Sequence, residues 1–97
     1  MAYTRTTEET EGLIETMAAY MRLKLAQNSH KPSWREQTTE DLIFGLFGEM
    51  REFWTALYAY QGKPNFQGLE EIRREAADVA NYMAMLTDKL AHDHKER

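Results

Sequence analysis

Apolar side chains recur at every third or fourth position along three long stretches of this chain, which is the spacing of one helix face. The third stretch has the most regular stripe, which consists of Leu69, Ile72, Ala76, Val79, Met83, Leu86 and Leu90. The first stretch shows the same spacing from Leu13 to Leu25, and the second is apolar almost throughout from Leu42 to Tyr60. The pattern therefore predicts an all-α protein with three helices.

Two short segments, 28–34 and 62–68, separate these stretches and contain both prolines of the chain. Proline and short polar side chains favour turns over helix continuation, so a helix should end before each segment. We predict that the three helices end at about Gln27, Tyr60 and Ala91.

The starts of the first two helices carry capping signals. Thr6 stands three residues before Glu9, and Thr38 stands three residues before Asp41. At this spacing the threonine oxygen can accept a hydrogen bond from the backbone N–H of the third residue. We therefore expect the first helix to begin after Thr6 or Thr7 and the second to begin at Thr38.

The length of the chain, 97 residues, is typical of one domain, because two domains of half that size could not each bury a core. We expect a single helical domain over residues 1–97. Its ends, residues 1–6 and 92–97, are polar and charged, and we expect them to be frayed tails.

Charge and composition exclude several classes of protein. The chain has 12 Lys and Arg against 16 Asp and Glu, a net charge of -4, so we expect no duplex nucleic acid as partner. It has no cysteine, which excludes disulfides, thiolate zinc sites and cysteine nucleophiles. The longest uncharged apolar run, 42–48, is far below the ~20 residues that span a bilayer, and no basic-then-apolar leader is visible. We expect a cytoplasmic protein that does not bind membranes.

The second helix is apolar around nearly its whole circumference. Its apolar residues are Leu42, Ile43, Phe44, Leu46, Phe47, Met50, Phe53, Trp54, Leu57, Tyr58 and Tyr60. Two amphipathic neighbours cannot cover so much surface, and small all-α chains commonly complete a bundle by association. We therefore predict a homodimer or homotetramer, in which a three-helix protomer completes its helical bundle by oligomerisation.

Glu49 and Glu52 are three residues apart and therefore share one face of the second helix. The rest of that face is made of small uncharged residues, namely Gly45, Gly48, Ala56 and Ala59. Carboxylates in such surroundings are unfavourable unless a cation or hydrogen-bond donors compensate their charge. This pattern differs from that of a solvated helix face, on which lysines and glutamates alternate.

Glu75 and Asp78 repeat the spacing on the third helix. Four carboxylates in one cavity would suit a hard divalent ion, so we predict a Mg²⁺ site at which Mn²⁺ can substitute. The chain has no Glu-x-x-His pair, which argues against a di-iron bundle. The alternative is that these acids are ordinary surface charges paired with Arg51, Arg73 and Arg74.

These residues also resemble a known family. GEMREF at 48–53 and EAADVANY at 75–82 resemble the paired E-x-x-E and E-x-x-D motifs of the MazG-like, all-α nucleoside triphosphate pyrophosphohydrolases. NSHKPSW at 28–34 resembles an N-x-H-K-x-x-W stretch of a small bacterial and phage subgroup of that family. The resemblance covers residues 24–90. The segment between the paired motifs, 61–68, has no room for a further sizeable helix.

The resemblance implies an activity and a set of site residues. Members of the family hydrolyse (deoxy)nucleoside triphosphates to the monophosphate and pyrophosphate with Mg²⁺, work as dimers or tetramers, and are often regarded as house-cleaning enzymes of the nucleotide pool. The residues carried over as the metal site are Glu49, Glu52, Glu75 and Asp78, and Asn81 is carried over as a contact to substrate. One glutamate, Glu49 or Glu52, would orient or deprotonate the attacking water, and the sequence leaves its role as ligand or base open.

Three residues of the segment 28–34 are further candidates for substrate binding. Lys31 could neutralise a phosphate, and Trp34 could stack on a base. The alternatives are a lysine that faces solvent and a tryptophan that anchors the core. His30 could also touch substrate, but a histidine beside a proline is more often a turn residue.

Two other classes of protein fit parts of the pattern. A non-enzymatic helical module for oligomerisation or regulation would explain the small size and the apolar second helix. A nucleotide-binding relative without turnover would keep the same side chains. The hydrolase hypothesis explains the carboxylates on the small-residue face, because it assigns them to the metal site.

Overall fold

The computed structural model describes residues 4–95 and consists of three α-helices in that range. The helices are α1 (Thr7–Gln27), α2 (Thr39–Gly62) and α3 (Phe66–Lys95). The described residues contain no strand, so the prediction of an all-α protein with three helices is confirmed.

Both predicted capping threonines lie at the helix starts. The side-chain oxygen of Thr6 accepts a hydrogen bond of 3.0 Å from the backbone N–H of Glu9. Thr38 accepts one of the same length, 3.0 Å, from the N–H of Asp41. Each bond satisfies a donor in the first turn that has no partner within the helix. These local contacts explain why the sequence placed both starts correctly.

The third helix is longer than predicted at its carboxyl end. We expected it to end near Ala91, but it continues to Lys95, so residues 92–95 are helical rather than frayed. An ion pair of 3.2 Å between Lys89 Nζ and Asp93 supports this last turn at the favourable i, i+4 spacing. The remaining parts of the predicted tails, residues 1–3 and 96–97, lie outside the described residues.

The third helix is also the centre of the packing. It contacts α2 on one side and α1 on another, whereas α1 and α2 do not pack against each other within residues 4–95. The most buried side chains are Leu42 of α2 and Ala77 and Asn81 of α3. The small side chain of Ala77 allows a neighbouring helix to approach α3 closely. The core is therefore thin and follows one face of α3.

Much of the apolar surface of α2 is exposed in the single chain. Its outer face carries Phe44, Phe47, Trp54 and Tyr58, of which Phe44 is 74% and Tyr58 70% exposed. An apolar stripe of this extent is unusual for a monomer and is typical of an interaction surface. None of the helices within residues 4–95 combines the length and the apolar character needed to cross a bilayer.

Candidate functional site

Three of the four predicted metal ligands converge where α2 packs on α3. One carboxylate oxygen from each of Glu49, Glu52 and Glu75 lies within 4.8 Å of the others. Glu49 and Glu52 face the same way because they are three residues apart on α2, and α3 brings Glu75 to them. Glu49 and Glu75 are half-buried, whereas Glu52 is exposed. We refer to these three residues as the carboxylate cluster.

Two oxygens of the carboxylate cluster have no hydrogen-bond partner. Oε2 of Glu49 and Oε2 of Glu75 are both buried from solvent, and no donor among the described residues reaches them. Buried polar atoms in folded proteins almost always have a partner, because an unpaired one costs free energy. A bound cation or a hydrogen-bond donor could satisfy these two oxygens.

The surroundings of the cluster favour the protonated forms of its acids. Burial, followed by the proximity of Glu52 and the charge of Asp78, raises the pKa of Glu49 to about 7. Burial, followed by the proximity of Glu71 and the charge of Glu52, raises the pKa of Glu75 to about 8. Carboxylates crowded in this way repel one another, and a divalent cation would relieve that repulsion.

The fourth predicted ligand, Asp78, lies beside the cluster and has a partner of its own. Its Oδ2 is 3.3 Å from the ammonium nitrogen of Lys24 on α1. The negative charge of Asp78 nevertheless contributes to the raised pKa values of Glu49 and Glu75, so all four acids share one electrostatic environment. Sequence reasoning missed Lys24, because no local spacing links it to a residue 54 positions away.

Of the three arginines that offered an alternative role for these acids, Arg73 and Arg74 pair with other acids. Arg73 Nη1 lies 2.9 Å from Glu70, and Arg74 Nη1 lies 3.9 Å from Glu71. Within the part of the chain that the structure describes, no arginine forms an ion pair with the carboxylate cluster. The arginine pairing that this alternative invoked is therefore not seen at the cluster within residues 4–95.

A cavity of about 460 Å³ adjoins the cluster. It lies between the α1–α2 connection and one face of α3, and Glu49 and Asp78 form part of its wall. Its other lining residues are Leu25, Asn28, Ser29, Lys31, Pro32, Ser33, Trp34, Gln37, Asn81, Tyr82 and Met85. Three of the four predicted substrate residues thus line this cavity, whereas His30 is exposed and does not. We call this space the loop cavity.

Trp34 is half-buried, lines the loop cavity and has a hydrogen-bond partner on α3. Its indole N–H donates a 2.6 Å hydrogen bond to Oδ2 of Asp88, while the residue lines the loop cavity. The neighbouring Arg35 donates to both oxygens of Asp88, at 3.0 Å through Nε and 3.3 Å through Nη2. We call these three residues the loop anchor. Arg35 first, and then Trp34, lower the pKa of Asp88 to about 2.

Asn81 connects α3 to α1 and retains a free acceptor. It is only 4% exposed, and its Nδ2 donates a 3.1 Å hydrogen bond to the carbonyl oxygen of Met21. Its Oδ1 is buried without a partner among the described residues. Because Asn81 lines the loop cavity, a ligand with a hydroxyl or amino group could satisfy this oxygen.

Lys31 is exposed at the rim of the loop cavity. Its backbone N–H closes a turn with the carbonyl oxygen of Asn28 at 3.0 Å, which orients the loop. Its ammonium forms no ion pair within residues 4–95. The cation is therefore free to meet an anionic group in the cavity.

Tyr82 is a residue of this site that sequence reasoning did not select. It lines the loop cavity, and burial together with the charge of Glu49 raises its pKa. A Cβ atom added at Gly45 would overlap the Tyr82 ring, so a glycine is needed at this point of the small-residue face. A Cβ atom added at Gly48, by contrast, would lie in open space.

Comparison with known proteins identifies no relative: no family model, no curated protein and no solved structure matches the chain. The chemistry of the site must therefore be argued from its own side chains.

The donor set and its surroundings suit a hard cation next to an anionic ligand. Three carboxylate oxygens that lie close together can hold one Mg²⁺ or Mn²⁺ ion and leave further positions for water or phosphate oxygens. The unpaired oxygens of Glu49 and Glu75 are the observation on which this fit depends. Next to them, the loop cavity offers a cation, an aromatic ring and a buried amide oxygen.

Proposed function

We propose that this protein is a Mg²⁺-dependent hydrolase that converts (deoxy)nucleoside triphosphates to the monophosphate and pyrophosphate. The observation that carries the proposal is the carboxylate cluster, which has two unpaired buried oxygens and whose Glu49 lines a cavity of about 460 Å³. The resemblance of segments 48–53 and 75–82 to the MazG-like family supports the same reaction. A cytoplasmic role in clearing unwanted nucleotides would follow from it.

The residues that would hold the metal are Glu49, Glu52 and Glu75, with Asp78 beside them. A divalent ion at this position supplies positive charge to a polyphosphate chain and lowers the pKa of nearby water. It would also reverse the sign of the local potential, which matters because the chain carries a net charge of -4 and its substrate is an anion.

Glu49 is the better candidate for the residue that orients or deprotonates the attacking water. It belongs to the cluster and also lines the loop cavity, whereas Glu52 does not line that cavity. Glu52 and Glu75 then act mainly as metal ligands.

The loop cavity would receive the nucleoside and part of the phosphate chain. Lys31 at the rim can meet a phosphate, and the ring of Trp34 offers a surface for base stacking. The free Oδ1 of Asn81 can accept a hydrogen bond from a sugar hydroxyl or a base amino group. His30, which is outside the cavity lining, is left out of this assignment.

The exposed apolar face of α2 supports a homodimer or homotetramer as the working form. Phe44, Phe47, Trp54 and Tyr58 would be covered in such an assembly. The same face is the observation that favours the second candidate function, a non-enzymatic module for oligomerisation or regulation. That alternative has no use for the unpaired carboxylates or for the loop cavity beside them.

The decisive experiment is incubation of the purified chain with each NTP and dNTP plus Mg²⁺ or Mn²⁺, with separate detection of pyrophosphate and orthophosphate. We expect pyrophosphate, and we expect EDTA to abolish its release. Glu49→Gln serves as the matched inactive control. Nucleotide binding without product would indicate a relative that has lost turnover, and neither binding nor product would favour the interaction module.

A further inference from the structure

Lys24 forms an ion pair with Asp78, one of the predicted metal-site acids. The proposed reaction assigns this lysine no role. Its ammonium nitrogen lies 3.3 Å from Asp78 Oδ2, and the two side chains are only 22% and 14% exposed. The ammonium therefore already pairs with one of the predicted metal-site acids.

The position of Lys24 has an electrostatic consequence for any ion that binds there. A dication that approaches Asp78 and the neighbouring carboxylate cluster meets an ammonium already attracted to Asp78. The two cations repel each other, and each weakens the attraction of the acids for the other. Because Lys24 has a long flexible side chain at the end of α1, its ammonium can move away without unfolding the helix.

We propose that Lys24 is a built-in competitor of the metal ion, which stabilises the acids of the metal-free protein and lowers the affinity of the site for Mg²⁺. This inference rests on the proposed metal-dependent function. When the divalent ion binds, the ammonium of Lys24 releases Asp78. Lys24 is thus a positioning residue that sets metal affinity.

A simpler role for Lys24 is to fasten α1 to α3 and to complement the negative end of the α1 dipole. Either of these tasks alone would make the lysine important for stability and irrelevant to metal affinity. The two roles therefore predict different effects of the same substitution on the same measurement.

The test is a titration of Mg²⁺, without nucleotide, into the full chain and its Lys24→Met and Lys24→Gln variants, followed by calorimetry and thermal unfolding. Both variants should unfold at lower temperature without metal, yet bind Mg²⁺ about tenfold more tightly. That factor is expected when one positive charge is removed near a doubly charged ion in surroundings of water-like dielectric constant. Lys24→Arg, which keeps the charge, should retain the parental affinity.

Lys89→Met is the matched control, because Lys89 also forms an ion pair, 3.2 Å long, with an aspartate of α3 away from the cluster. It should lower the unfolding temperature and leave Mg²⁺ affinity unchanged. If the parent binds Mg²⁺ and the folded Lys24 variants bind it equally or more weakly, the role assigned to Lys24 is wrong and the proposed function stands. If neither parent nor variants bind Mg²⁺, both proposals fail.

Discussion

The carboxylate cluster and the loop anchor each contribute one residue to the wall of the loop cavity, Glu49 and Trp34, but their acidic side chains lie in opposite kinds of surroundings. In the loop anchor, both oxygens of Asp88 accept hydrogen bonds, and the pKa falls to about 2. In the cluster, Glu49 and Glu75 each keep a buried oxygen without a partner, and their pKa values rise to about 7 and about 8.

The difference separates an acid whose oxygens are both paired within the chain from acids that keep an unpaired oxygen. The hydrogen bonds of Asp88 hold the loop in place. The unpaired buried oxygens of Glu49 and Glu75 cost free energy, and under the proposed function a cation would offset that cost. If this contrast reflects function, the acids of the two regions should differ in their effects on catalysis, metal affinity and stability.

The largest expected effect is on catalysis by the acids near the metal. Glu49→Gln, Glu52→Gln, Glu75→Gln and Asp78→Asn should each lower kcat by roughly 100-fold or more, which corresponds to ~2.7 kcal/mol of lost transition-state stabilisation. Glu49→Gln and Glu75→Gln should leave the metal-free protein equally or more stable, because they remove mutual repulsion. Pyrophosphate release and thermal unfolding measure the two effects.

The counterpart in the loop anchor is Asp88→Asn, which should behave in the reverse way. It should lower the unfolding temperature and leave Mg²⁺ affinity unchanged. A loss of metal binding in a folded Asp88→Asn protein would erase the distinction between the two regions.

The second prediction concerns the pH dependence of stability without metal. Glu49 and Glu75 have raised pKa values, so the stability associated with their protonated forms is fully present below the ordinary value of 4.5 and is lost as pH rises through about 7 and about 8. The unfolding temperature of the metal-free protein should therefore fall across this range. Saturating Mg²⁺ should flatten the slope, and so should the double variant Glu49→Gln/Glu75→Gln.

Asp88 predicts a slope of the opposite sign in acid. Its pKa is depressed, so its contribution is present above the ordinary value of 3.8 and is lost as pH falls towards about 2. Asp88→Asn should remove the loss of stability in acid and leave the fall in unfolding temperature near neutral pH unchanged. If all variants showed the same single pH dependence, its assignment to Asp88 and to the two glutamates would be wrong.

A third and smaller effect should separate the two roles of Trp34. Trp34→Phe removes the N–H that donates to Asp88 and keeps an aromatic ring at the cavity, whereas Trp34→Ala removes both. Trp34→Ala and Lys31→Ala should mainly raise KM or shift base preference, with kcat largely retained. Trp34→Phe should show a milder increase in KM. Equal kinetics for Trp34→Phe and Trp34→Ala would mean that the anchor, and not stacking, explains this tryptophan.

The smallest expected effect is that of subunit association on the metal site. We expect light scattering to give a dimer or tetramer rather than 11.4 kDa, and Phe47→Glu on the exposed face of α2 to shift it towards the monomer. Mg²⁺ affinity should change little in that variant. If the affinity changes strongly, a second copy supplies partners to Glu49 and Glu75, and the contrast drawn within one chain does not hold.

The sequence predicted best those features that depend on local spacing. The helix caps Thr6 and Thr38 can be predicted because each forms a hydrogen bond with the residue three positions later. The shared face of Glu49 and Glu52 follows from helix geometry alone. The end of α3 was missed because the ion pair between Lys89 and Asp93 adds a turn to a segment with little apolar character. The sequence pattern of this segment therefore did not predict the last turn.

Features that depend on the register between helices could not be derived from the pattern. The partners Lys24 and Asp78 are 54 positions apart, and so are Trp34 and Asp88, so only the packed structure pairs them. The loop cavity likewise requires α1 and α3 to meet at one register. The sequence therefore indicated which side chains carry chemistry, and the structure determined which of them have partners.

The attachment of α1 to α3 alone has a consequence for local unfolding. With no packing against α2 in the described part of the chain, α1 can detach in a partial opening that leaves the α2–α3 pair intact. Such an opening would remove Leu25 and Asn28 from the cavity wall and free Asn81, whereas Glu49, Glu52 and Glu75 would stay together. In hydrogen exchange, Mg²⁺ alone should therefore slow the exchange of the α2 and α3 amides. The α1 amides should become protected only when a nucleotide binds together with Mg²⁺.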